Sequence, residues 1–146
     1  MPAVPKRLTA IKTSITASVT FADVLRGTPP NRFANAEKVR ISKLKLTRKG
    51  DQLTKAVANS YTPGSATSYE SEIQFLPNKK IKLSCSCDDF VYRFEWVLYR
   101  KGSADLVYGT GEAPDKTNPA RTLGCCKHIV AMRDHLVAKD LIDATT

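Results

Sequence analysis

No apolar run in the 146 residues approaches the roughly 20 needed to cross a bilayer as a helix. A membrane-spanning helix is therefore excluded. The first residues also lack an unbroken apolar stretch, because Lys6, Arg7 and Lys12 interrupt a Thr- and Ser-rich segment. That pattern is unlike a secretory signal, and synthesis in the cytoplasm is expected. The chain has no phosphate loop, no Gly-x-Ser-x-Gly and no His-Glu-x-x-His, so three common signatures of catalysis are missing. It has no internal repeat. Acidic residues are scarce at the start: residues 1–50 hold 2 Asp+Glu against 11 Lys+Arg.

What is present is ordinary for a globular domain: 42% hydrophobic and 25% charged residues. The length suits one domain with an arm. The formal net charge of +9 is uneven. It is +9 over residues 1–50, +1 over 51–84 and −1 over 85–146. Such asymmetry suits a basic arm that meets a polyanion or an acidic protein surface. Lys6, Arg7, Lys12, Lys43, Lys45, Arg48 and Lys49 are the candidate contacts. The expected division is a basic N-terminal arm over 1–38 and a folded domain over 39–146.

Four cysteines fall in two tight groups, Cys85-Ser86-Cys87 and Cys125-Cys126. A disulfide inside either group would be strained. Crossed disulfides between the groups are possible but leave His128 without a role. Cys85, Cys87, Cys126 and His128 instead make a complete tetrahedral ligand set for structural zinc. A catalytic zinc keeps one position open; this set leaves none, so a non-enzymatic protein without a small-molecule substrate is expected. Cys125 reads as a small buried hydrophobe, yet it is a rival ligand, three positions before His128 on a helix.

Tyr69–Leu76 and Lys80–Ser86 read as a hairpin through Pro77-Asn78-Lys79, with Ile73 and Phe75 alternating, then Ile81, Leu83 and Cys85. Cys85 and Cys87 continue that period of two and project to one side. Residues 39–48 read as a strand with a slip near Ser42-Lys43, and 52–60 fit a short helix or a strand equally. Thr20–Arg26 fits one or two helical turns ended by Gly27-Thr28-Pro29-Pro30, and 31–37 reads as a loop or a short turn. Asp88-Asp89 offers an N-cap for a helix over about 89–100, in preference to a strand, and Trp96 joins Phe90 and Phe94 in the core. Arg93, Arg100 and Lys101 suit a small solvated basic patch. Ile129, Met132 and Leu136 mark an amphipathic helix over about 126–138. Helical residues two apart point in nearly opposite directions. Cys126 and His128 can share one ion only at the start of that helix. His135 lies too far along it to join them. The expected fold is α+β: a small antiparallel sheet with a C-terminal helix, stapled by one zinc ion across a long insertion over 91–122. Closing such a loop costs little, about 0.6 kcal/mol per doubling of length.

Cys85-Ser86-Cys87 with Asp89-Phe90, followed by Gly124-x-Cys126-Lys127-His128-Ile129-x-Ala131, resembles the SWIM zinc-binding family over about residues 80–138. The spacer of 38 residues between Cys87 and Cys126 is longer than that family's usual one. The resemblance implies a ββα-like core around one zinc ion and a nucleic-acid- or protein-binding accessory role. Phe90-x-Tyr92-Arg93-Phe94, the Gly111/Pro114 loop and Asn118-Pro119 loosely resemble small SWIM-like proteins of tailed bacteriophages, which implies a virion or assembly component. Two functions are thus expected. One is a zinc-stapled adaptor docking on a larger assembly through its basic N-terminal part. The other is a nucleic-acid-binding accessory factor with Lys43, Lys45, Arg48 and Lys49 on phosphates.

Overall fold

Alternation of apolar residues builds the central sheet. In the computed structural model, which describes residues 3–145, four strands pair antiparallel in sequence order: β1 (Arg40–Lys49), β2 (Gln52–Tyr61), β3 (Ser68–Phe75) and β4 (Ile81–Cys85). Ala56, Ala58, Ser71, Ile73, Ile81, Leu83 and Cys85 are buried on one face, with polar residues between them. The undecided segment 52–60 is a strand, and its inward residues are small alanines that let a helix approach closely. The slip expected near Ser42-Lys43 is a bulge: register shifts between Ser42 and Lys45, and Lys43 has φ +54°. Lys49 pairs with Gln52 across a two-residue turn in which Gly50 takes φ +62°.

Helices cover the inward face. α1 (Phe21–Gly27) opens with a capping box between Thr20 and Asp23. α2 (Pro30–Ala36) replaces the expected loop over 31–37. Pro30 ends the preceding segment and also suits the first turn of a helix, where its missing N–H costs nothing. A π-helical turn over Phe90–Phe94 leads into α3 (Glu95–Tyr99), so the helical reading of 89–100 holds in an irregular form. α4 (Lys127–Ala138) lays Ile129, Met132 and Leu136, all fully buried, against the sheet. The α+β class with a C-terminal helix is as expected. No helix among the described residues is long and apolar enough to cross a membrane.

Two expectations need correction. Residues 1–38 do not stand apart as an arm: Val19, Phe21, Val24 and Ala36 belong to the same hydrophobic core as α4 and the sheet. Their extended part is tied down as well. Val4 N–H donates to Ser86 O, Arg7 N–H to Val107 O, and Ile11 exchanges both backbone bonds with Leu106. Nor is the insertion a free excursion. Phe94, Leu98 and Ala104 join the core, while Trp96 is only half-buried, between the guanidinium groups of Arg100 and Arg121 at 5.9 and 5.5 Å. The Glu95 carboxylate, 1% exposed, accepts the N–H groups of Val107, Tyr108 and Gly109 at 3.3, 3.2 and 2.8 Å. Asn118 holds the far end through Arg93 O, Thr122 O and Thr122 N–H.

If the N-terminal segment is part of the folding unit, Phe21→Ala is expected to cost about 3–5 kcal/mol in urea unfolding. A loss below about 1 kcal/mol would return that segment to the status of an arm.

Candidate metal centre

Two chain reversals meet at one buried point. Cys85 ends β4 on its inward face, and Cys87 follows two residues later at the strand's exit. Cys126 is the N-cap of α4, with extended φ/ψ of −81° and 169°, and His128 sits in the first helical turn. The extended cap lets residues two apart converge, as they cannot inside a helix. All four residues are buried, and one ligand atom from each lies within 4.8 Å of the others. A tetrahedral ion with bonds of about 2.0–2.3 Å separates its ligands by roughly 3.3–3.8 Å, so the cluster is close to that geometry.

The donors fit a metal ion. Neither ring nitrogen of His128 has a hydrogen-bond partner, although the side chain is 3% exposed. An orphaned buried imidazole costs about 1–3 kcal/mol unless something binds it. Burial raises the Cys85 thiol, but hydrogen bonds with Cys126 and Cys87 and the charge of the neighbouring His128 ring outweigh it and hold its pKa well below the ordinary cysteine value. Burial pushes Cys126 well above that value. At Cys87 the bond with Cys126 lowers the pKa, but Cys85 and burial prevail and raise it. The three thiols influence one another strongly, and a bound cation would stabilise all three as thiolates.

Nearby residues orient the donors. Ser71, opposite Cys85 in the β3–β4 register, donates its hydroxyl to Cys85 Sγ at 3.3 Å. Phe90 N–H donates to Cys87 Sγ at 3.4 Å. The Tyr69 ring lies 4.6 Å from that of His128, tilted by 42°. The first turn of α4 has no side-chain cap, and Cys126 and His128 stand at its positive dipole end. Cys125, the rival ligand, points elsewhere. Its N–H donates to Thr28 Oγ1 at 3.1 Å, its sulfur is 3.7 Å from the same hydroxyl, and burial pushes its pKa up to about 12.

A cleft of about 640 Å³ opens over the centre. Its floor includes Cys87, Cys126 and His128, and its rim carries Asn31, Arg32, Asn35, Asp88 and Lys127. Asp89 does not cap a helix, contrary to expectation: its side chain makes no cap bond. It grips Arg32 of α2 through two bonds, Nε–Oδ2 at 3.0 Å and Nη2–Oδ1 at 2.7 Å, and Arg93 Nε at 3.1 Å. This fork fixes α2 beside the centre. Its partner lies 57 residues upstream, so no local pattern announces it. Ser71 and Thr28 were equally hidden, although the β3–β4 register, once known, puts Ser71 beside Cys85.

The candidate cations separate into two groups. Lys6 pairs with Glu70 at 2.7 Å, Arg7 donates to Gly109 O at 2.8 Å, and Lys12 lies 3.8 Å from Asp105. All three sit with the segment that runs beside β4. Lys43, Lys45, Arg48 and Lys49 are exposed on β1, at the opposite edge of the sheet, and make no ion pair among the described residues. Neither group touches the metal centre. The chain matches no family model, no curated protein and no solved structure.

If the fork holds α2 over the centre, Arg32→Ala is expected to cost about 1–3 kcal/mol, since Arg32 is 15% exposed and doubly bonded. Arg93→Ala should cost under about 1 kcal/mol, because its contacts with Asp89 and Thr117 O are solvent-exposed. Equal, small losses in urea unfolding would assign no anchoring role to the fork.

Proposed function

We propose that this chain is a non-enzymatic, zinc-stapled module that docks on a larger assembly through the unpaired cations of β1. The observation that carries the metal part is the buried set of three cysteines and a histidine whose ring nitrogens have no other partner. Thiolate and imidazole donors in a compact group of four suit zinc above harder cations. Four protein ligands fill a tetrahedral ion, which leaves no position for a substrate or an activated water. That favours a structural ion over a catalytic one. The Cys-x-Cys … Cys-x-His spacing supports a SWIM-like reading of the site. A place in a phage particle rests on the sequence features alone.

The docking part rests on charge. Lys6, Arg7 and Lys12 are engaged within the chain, so the free positive charge of the first 50 residues gathers on β1 rather than on an arm. The same four cations give nucleic-acid binding as a second reading. Several phosphate contacts would make such binding fall steeply with salt. No binding to a DNA duplex at about 50 mM salt would remove that reading.

Native mass spectrometry of the full chain is expected to show one zinc ion per chain. Cys87→Ser and Cys126→Ser should lose it, and Cys125→Ser should retain it. Loss from Cys125→Ser with retention in Cys126→Ser would overturn the ligand assignment. Absence of zinc from a protein purified without chelator and resupplied with the ion would overturn the metal reading itself.

A further inference from the structure

The two edges of the sheet are treated differently. β4 has its outer backbone groups occupied: Ile81 N–H donates to Val19 O at 3.0 Å and Leu83 N–H to Ser103 O at 2.9 Å. β1 ends the sheet on the other side. Among the described residues, no backbone segment hydrogen-bonds to its outer edge. On such an edge, alternate residues turn N–H and C=O groups outward, and only another strand can satisfy them in register.

Charge narrows the occupant. Residues 38–49 hold six basic residues and no acidic one. A second copy is a poor partner, because self-pairing sets lysine against lysine. The bulge at Lys43 also breaks the flat edge that copies would share. Nucleic acid would use the cations but leave the edge groups to water. It would also meet the wrong sign nearby: Lys45, Val57 and Glu72 form one row across the outward face, and Glu70 flanks it on β3. The positive surface is thus densest along β1, although the next outward row adds Lys55 of β2 beside Thr47.

We propose that the free edge of β1 takes up an acidic, extended segment of a protein partner as an added strand. Backbone bonds supply the register, and acidic side chains meet Lys43, Lys45, Arg48 and Lys49. This rests on the docking reading above and names the partner's chemistry. It does not depend on which metal is bound.

The test uses the zinc-loaded full chain and a synthetic peptide as long as the ten-residue β1, alternating Glu with Val or Thr. A second peptide carries the same charges but is N-methylated at alternate residues, so it cannot donate backbone bonds along one edge. Anisotropy is expected to show the first peptide binding and the second at least about tenfold weaker, with new amide-exchange protection confined to β1. Lys45→Glu with Arg48→Glu should abolish binding while zinc content and melting temperature stay at wild-type values. Three results would each overturn the proposal: no binding of the first peptide at about 50 mM salt, equal binding of both peptides, or tighter binding of a DNA duplex. Zinc content measured on each sample separates these from a failure of the metal reading. Peptide binding by a chain that holds no zinc would sink that reading and leave this one standing.

Discussion

Four buried donors with too few partners govern this fold. Cys85, Cys87, Cys126 and His128 come from two chain segments and converge, all buried, beneath a cleft. Left alone, the imidazole has no partner, and burial opposes a charge on the Cys126 thiol. A cation removes both costs together, and structural zinc supplies on the order of 10 kcal/mol in small domains. The rest of the neighbourhood follows from that requirement. β4 must end where α4 begins, α4 must start with an extended cap, and Ser71 and the Phe90 amide must face the sulfurs. Because the start of α4 is fixed at the end of β4, its apolar stripe is aimed across the inward face of the sheet.

The segment between the two ligand pairs is held by its own interactions. Its core residues, Phe94, Leu98 and Ala104, make it part of the hydrophobic interior. Glu95 ties it to 107–109 through three backbone N–H groups. Burial is the largest influence on that carboxyl and raises its pKa, with the three donors opposing. The N-terminal residues then close over the same region through Ile11 and Leu106. Remote stretches of chain thus share one core, and a metal held by the Cys/His cluster would join elements that already pack against each other.

Much of this was legible locally. Ile81, Leu83 and Cys85 alternate, Ile129, Met132 and Leu136 keep helical spacing, and the geometry of residues two apart placed Cys126 at a helix start. What was hidden depends on partners far away or on weak patterns. α2 buries only Ala36 and leaves Phe33 39% exposed, so it has no apolar stripe to read. β2 turns alanines inward, and their small size blurs the alternation. Asp89 resembles a cap until Arg32 is brought to it. The excess charge was visible, but not its division, because Lys6 and Lys12 find Glu70 and Asp105 only through the fold.

That division separates stability from contact. A sheet with two edges has two rows of unpaired backbone groups, and each must be covered or defended. The chain covers the β4 edge with its own residues, Val19 and Ser103, beside the metal centre. It defends the β1 edge with a bulge and a row of cations. The two edges lie three strand spacings apart, about 14 Å. The Cys/His cluster and the cationic edge are therefore spatially independent. The cations nearest the cluster, Arg32 and Lys127, line its cleft, and Arg32 is held by Asp89; those of β1 face solvent and any partner that carries negative charge. A fold arranged this way can keep its interior fixed while the exposed strand adapts to what it meets.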